Sequence, residues 1–334
     1  MKETKRYFHS AYQHISCLLL VCCFTFAGKL NASVEKPIHG SILCNVSFPQ
    51  AAIADINTLY IPFTLVGQLM VVEARVDTVS GLFIVDTGSE HLVMNKKHYA
   101  PHVGALSVFS TGNTGVVESA VATNVDSLRI QLLVIKNLFA HIVDLSHIEV
   151  KKNTRIAGIL GYDVFKKFEL FIDFPERRIV LCRLDRTGLR VDRLAVREIP
   201  SDSISFILKN HFIQLAATVN GVKLKMILDS GAELNLIDRH VNRKVLENFS
   251  IIKRVNLVGM GQRQVEVLAG VLRGVSCGHQ HEEKMNTLLT SLDAINQGFD
   301  AQADGVLGYE FLKSRRTMIN YVTRKVYFFN PVRP

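Results

Sequence analysis

The sequence has no low-complexity tract, no tryptophan and, past residue 32, no apolar run long enough to cross a bilayer. With 48% of residues hydrophobic, the lack of biased tracts excludes an intrinsically disordered chain. The lack of later apolar runs excludes a bundle of membrane-spanning helices. The missing tryptophan excludes nothing by itself. Cysteines are few: Cys17, Cys22 and Cys23 near the N-terminus, then Cys44, Cys182 and Cys277. The first three lie in a segment expected to be removed, and the remaining three allow at most one disulfide, so the chain is not a disulfide-stapled scaffold. There is also no Ser–His–Asp arrangement with a nucleophile elbow, and no phosphate-cradling glycine loop follows a strand.

The N-terminus carries Lys2, Lys5 and Arg6, followed by an apolar run from Ile15 to Ala27. That pattern predicts a signal peptide over residues 1–32, with cleavage after Ala27 or Ala32, or else an uncleaved N-terminal anchor. The expected location is exported: periplasmic, envelope-associated or secreted. Removing residues 1–32 takes away four basic residues and one acidic residue, so the net charge goes from +9 to +6. The remaining basic residues are scattered and not interleaved with aromatics, so no nucleic-acid partner is expected.

At 334 residues the chain has room for two domains with cores of their own. Their arrangement follows from a phrase written twice. Phe83-Ile84-Val85-Asp86-Thr87-Gly88-Ser89 returns as Met226-Ile227-Leu228-Asp229-Ser230-Gly231-Ala232, 143 residues later. Each is an apolar strand that stops at a glycine-containing turn, with a carboxylate at the mouth of the turn. A carboxylate there is costly unless hydrogen-bonded or used. Two such sites suggest a pair that meets.

The repeat extends both ways. Ile61, Phe63, Leu65, Ala74 and Val76 match Ile204, Phe206, Leu208, Ala217 and Val219 at the same offset. Gly158-Ile159-Leu160-Gly161-Tyr162 returns as Gly305-Val306-Leu307-Gly308-Tyr309 at an offset of 147. An internal duplication of this kind sets the architecture. Residues 33–59 read as an arm, 60–182 as a first lobe, 183–203 as a charged linker and 204–334 as a second lobe. Short strands dominate both copies. Helices are expected at 239–249, at 287–296 and in a turn at 162–167 with its counterpart. Each copy also has a glycine-bearing hairpin tip, with Gly112 and Gly115 in the first and Gly259 and Gly261 in the second.

An apolar strand into Asp-Thr/Ser-Gly, a glycine-bearing hairpin, then apolar-apolar-Gly resembles the aspartic protease superfamily. Lobe size and the Asp-Ser-Gly-Ala form are similar to the retropepsin-type bacterial aspartyl proteases, while having both halves on one chain is pepsin-like. The resemblance implies an all-β fold of two homologous lobes, each a retropepsin-like β-barrel. It implies an aspartic endopeptidase with Asp86 and Asp229 as the catalytic pair. It also implies a peptide or protein substrate, no cofactor and no bound metal, no membrane span in the mature chain, and a monomer. Thr87 and Ser230 would bond across the lobe interface, with Gly88 and Gly231 letting the turns come close. The glycines at 112, 115, 259 and 261 would belong to flaps.

Two carboxylates held together cannot both ionise, so one activates a water and the other polarises the substrate carbonyl. The pepsin-like resemblance implies that a hydroxyl after the glycine donates to the neighbouring Asp, so Ser89, where the second copy has Ala232, is expected to donate to Asp86. Asp86 would then be the anion and Asp229 the protonated partner. The alternative function is a peptide-binding or envelope scaffold module that keeps the fold without useful catalysis. A weaker site candidate is Cys277-Gly278-His279-Gln280-His281, whose Cys277, His279 and His281 would put three possible metal ligands on one face if extended.

Overall fold

In a computed structural model of the chain, the described residues are 57–330 apart from 101–105, 113–114 and 259–263, together with two short strands, Cys17–Leu18 and Cys22–Cys23. The expected signal segment and arm otherwise lie outside the described residues. Cys17–Leu18 runs parallel to Leu257 and Val258, and Cys22–Cys23 runs antiparallel to Gly112 and Thr111.

Each half closes a barrel by the same sequence of pairings. In the first, Leu69–Val76 pairs antiparallel with Val79–Val85, the strand that ends at Asp86. Val79–Val85 runs parallel to Ile156–Leu160, which pairs antiparallel with Leu92–Asn95. Leu92–Asn95 runs parallel to Leu133–Val143, which continues into Gly115–Ile130 and Leu106–Gly112. Contacts of Arg75 and Val76 with Arg129 and Leu128 close the circuit. The second half repeats every step, from Phe212–Val219 and Val222–Leu228 to the hairpin Phe249–Val258 and Gln264–Cys277. Strands buried on both faces read as continuous apolar runs, which is why Phe83-Ile84-Val85 and Met226-Ile227-Leu228 show no alternation.

A third, six-stranded antiparallel sheet joins the halves. Its order is Asp202–Ser205, Lys325–Phe329, Arg316–Asn320, Phe168–Asp173, Arg178–Arg183 and Thr58–Pro62. The central pair, Phe168–Asp173 with Arg316–Asn320, is where one half meets the other. Buried Arg316 bonds there to Asp173 of the first half and to Glu198 of the connecting segment. The inner face of this sheet shares one apolar core with both barrels. Its outer face packs Phe171, Val180, Cys182, Met318 and Phe329 under Ala195 and Val196. No helix among the described residues is long and apolar enough to cross a membrane.

The helices differ from the sequence expectation. Residues 239–249 contain only the one-turn helix Arg243–Leu246, and 287–290 are strand, with the helix starting later as Asp293–Phe299. Pairing with the neighbouring strand 268–270 overrides the local helical pattern at 287–290. The turn at 162–167 is the helix Tyr162–Phe165, and Tyr309–Leu312 is its counterpart. The helix Ser146–Lys152 was unanticipated because its seven residues are too few to show a period.

Candidate active site

The two Asp turns meet at the lobe boundary, and backbone geometry explains why. Asp86 N–H donates to the Leu160 carbonyl at 3.0 Å, and Asp229 N–H donates to the Leu307 carbonyl at 2.9 Å. Each Asp therefore stays in register with the parallel strand ending at the second glycine motif. There Tyr162 N–H donates to the Ser89 carbonyl at 2.7 Å, and Tyr309 N–H to the Ala232 carbonyl at 2.8 Å. Gly161 is required at this crossing, since a Cβ would lie 2.4 Å from the His91 carbonyl oxygen.

The turns are locked to each other by reciprocal bonds. Thr87 N–H donates to Ser230 Oγ at 3.1 Å, and Ser230 N–H donates to Thr87 Oγ1 at 3.0 Å. Each hydroxyl passes its own proton to the opposite strand, Thr87 to the Leu228 carbonyl and Ser230 to the Val85 carbonyl. All four polar groups are buried and satisfied. Thr87, Ser230, Gly88 and Gly231 all lie at this contact between the two turns. Gly112 and Gly115 face each other at the end of the first hairpin, while Gly259 and Gly261 lie outside the described residues.

Both carboxyls are fully buried. Asp86 Oδ1 accepts from Gly88 N–H at 2.8 Å and from Ser89 N–H at 3.1 Å, and Asp229 Oδ1 accepts from Gly231 N–H at 2.8 Å. Oδ2 of each is buried and takes no donor from the turns. A side-chain hydrogen bond between the carboxyls forms once one holds a proton. Burial pushes Asp86 well above the usual carboxylate range, and the charge of Asp229 adds to the rise. Burial pushes Asp229 up to about 6.

One of these observations corrects the expected support of the pair. Ser89 Oγ donates to the His91 carbonyl at 3.1 Å, not to Asp86, so of the Ser89 donors only the backbone N–H supports Asp86, beside that of Gly88. Burial raises both carboxyls, so one proton stays with the pair as a unit. Ser89→Ala is accordingly expected to leave the acidic limb of the pH–rate profile within about 0.3 unit of wild type. A larger move would reinstate the hydroxyl as a partner of the pair.

The same shifts predict a stability profile. A carboxyl whose folded pKa lies above its unfolded value binds its proton more tightly in the folded state. Stability from this pair is therefore fullest below about pH 4 and declines as the pH climbs through about 6, where the pair gives up its first proton. Urea unfolding at stepped pH checks this. The decline should be absent from a variant with both aspartates replaced by asparagine.

Other candidates separate clearly. Gly278 and His279 form a two-residue turn with Cys277 opposite Gln280, so the segment is not extended and its ligand types do not share a face. Cys277 is buried, His279 pairs with Asp202 and His281 with Ser276. Cys182 and Cys277 are free thiols, each pushed up to about 12 by burial. Asp238, His240 and Asp293 each bring one ligand atom within 4.8 Å of the others, but Asp238 already accepts from His240 N–H and Leu292 N–H. A cavity of about 580 Å³ lies between the second hairpin and the start of helix Asp293–Phe299, lined by Leu236, Leu257, Val265, Val267 and Leu292, with Arg239 and Arg254.

Histidines far apart in the sequence form a cluster beside the first turn. His91 Nδ1 lies 2.6 Å from Asp163, and its ring stacks edge-on with His141 and Phe139. His211 reaches the same turn from the second lobe. Nothing in the spacing of these residues announces the contact.

Two barrels sharing a central sheet, with a paired Asp-Thr/Ser-Gly turn at their boundary, define a two-lobed aspartic-protease fold. The family described as "Aspartyl protease" matches twice, over residues 72–164 and 215–311. The chain belongs to the aspartyl protease family. It is 22% identical over 125 residues to the retrovirus-related Pol polyprotein from transposon 412 of Drosophila melanogaster. That match covers 37% of this chain and 9% of the relative, so the chain spans a small part of that polyprotein's length. The crystal structure of an aspartic proteinase from Irpex lacteus superimposes with a TM-score of 0.51 at 11% identity, covering 82% of this chain and 98% of that one. At that identity the likeness speaks for the fold.

Proposed function

We propose that the protein is an aspartic endopeptidase in which Asp86 and Asp229 share one proton and hydrolyse a peptide bond through an activated water. The observation that carries this reading is the pair itself. The two carboxyls are buried together, raised above the ordinary range and have their Oδ2 atoms left unclaimed by the turns. In the singly ionised state, the carboxylate of the pair takes a proton from water as the oxygen attacks the peptide carbonyl. The protonated partner donates its proton to the developing oxyanion. Collapse of the tetrahedral intermediate breaks the C–N bond: the proton taken from water passes to the leaving amine, and one hydroxyl of the intermediate returns its proton to the partner carboxylate, which restores the pair. The turn amides on Oδ1 keep both groups aligned while the proton moves.

The substrate is an extended peptide, held against the two glycine-tipped hairpins as flaps. One chain supplies both turns, so a monomer suffices. The basic start and apolar run at residues 2–27 favour export. Incubating the full chain with unstructured peptides from pH 3 to 7 in ¹⁸O-water tests the reaction class. New carboxyl termini bearing one solvent oxygen, with no covalent intermediate trapped, are expected. Absence of cleavage by folded protein at every pH would overturn the reading.

A further inference from the structure

His211 sits immediately before the strand Phe212–Val219 of the second lobe and is 1% exposed. Its Nε2 lies 3.0 Å from the carbonyl oxygen of Gly88, in the first-lobe turn. Its Nδ1 lies 3.7 Å from Glu90 Oε2 on the same turn. The ring is held against Phe212 and Phe299, with centroids 4.1 and 5.9 Å away. A carbonyl only accepts, so Nε2 must carry a proton.

The Gly88 carbonyl is one end of a peptide unit whose other end is the Ser89 N–H, and that N–H donates to Asp86 Oδ1 at 3.1 Å. A donor on the carbonyl polarises the unit, strengthens its N–H and fixes its plane. The position related to His211 by the 143-residue repeat is Gln68, which makes no corresponding bond to Gly231. The second turn is instead held from across the boundary by an ion pair, Lys152 to Glu233 at 2.6 Å. Glu233 is the repeat partner of Glu90. One turn is thus steadied by an ion pair and the other by a neutral imidazole.

We propose that His211 is a positioning residue for Asp86, acting across the lobe boundary through the Gly88–Ser89 peptide unit. The inference rests on the aspartic-peptidase reading. Among the described groups, the charged neighbours of His211 are Glu90 on the turn, then His91, Asp163 and, beyond it, Lys166. Its contacts from Phe212 and helix Asp293–Phe299 are apolar rings. Burial pushes the imidazole down to about 4, so above that pH it adds no charge to the site. Asp86 itself faces Asp229, with Tyr321 buried nearby.

The test compares His211→Phe, which keeps the ring packing without the donor, and His211→Gln, which restores a donor, in the full chain. Phe is expected to lower kcat roughly 10- to 100-fold with KM within about threefold. The alkaline limb of the pH–rate profile should move up, because the Asp86 anion loses part of its N–H support. Gln should recover most of kcat and return the limb. Wild-type kcat and limb in the Phe variant, or a folded Gln variant no better than Phe, would overturn the proposal. Carbon-13 titration of the Asp86 carboxyl in both variants gives a readout that needs no activity. An upward shift with Phe but not Gln supports the role, and no shift overturns it. If wild type cleaves with dependence on Asp86 while the Phe variant behaves normally, the His211 role alone fails. If wild type does not cleave, the peptidase reading fails and the carboxyl titration still judges His211.

Discussion

Asp229→Asn is expected to lower kcat/KM for peptide cleavage about a thousandfold and, at pH 7, to make the folded chain more stable. The activity loss follows from breaking the proposed proton-sharing pair, since general acid–base catalysis supplies about 10²- to 10⁴-fold. The stability gain follows from burial. A carboxyl raised from 3.8 to about 6 costs about 3 kcal/mol when it must ionise inside the fold at neutral pH. Asparagine fills the same volume, still accepts from Gly231 N–H and donates its own N–H to Asp86. Asp86→Asn is expected to have the same two signs, by the same argument applied to a carboxyl also raised by burial. Opposite movement of activity and stability marks a group kept for its work and not for its packing. Steady-state kinetics beside urea melts at pH 7 check both. Activity retained in either variant, or lost together with stability in both, would contradict the account.

Gly231→Ala is expected to abolish activity to below about 1% of wild type and to destabilise the chain by about 1–3 kcal/mol. A Cβ at 231 would lie 2.3 Å from Asp86 Cγ, and one at 88 would lie 2.6 Å from Asp229 Cγ. Neither glycine has a left-handed backbone, so the conflict is one of contact and not of torsion. The obstructing atoms are the carboxyls themselves, and the turns cannot slide apart while Thr87 and Ser230 exchange backbone bonds. Any relief must therefore move one carboxyl off the other. Gly221, whose added Cβ meets nothing within 4 Å, serves as a distant comparison. Its substitution should alter stability through its positive φ without touching the pH–rate profile.

The duplication made most of this fold legible. Matching apolar positions at an offset of 143, then a second motif at 147, place two similar barrels and bring both Asp turns to equivalent ends. The Thr87–Ser230 exchange is legible too, because each motif keeps a hydroxyl at that position. What escapes is contact between residues whose identities differ in the two copies. His211 and Gln68 occupy related positions yet only His211 bonds a turn, across 123 residues of sequence. The direction of a hydroxyl is equally hidden, since Ser89 could turn to Asp86 or to a carbonyl, and the His91 carbonyl takes it. Period-two alternation also misleads at 277–281, where Gly278 at φ +62° turns the chain between paired strands.

The central claim is that two carboxyls from two lobes hold one proton between them. Carbon-13 labelling of aspartate with carboxyl titration of Asp86 and Asp229 in the full chain, from pH 3 to 9, measures it directly. The account predicts coupled curves in which the pair gives up its first proton near 6 and keeps its second well above the ordinary carboxylate range. Two independent carboxyls each titrating near 4 would contradict it.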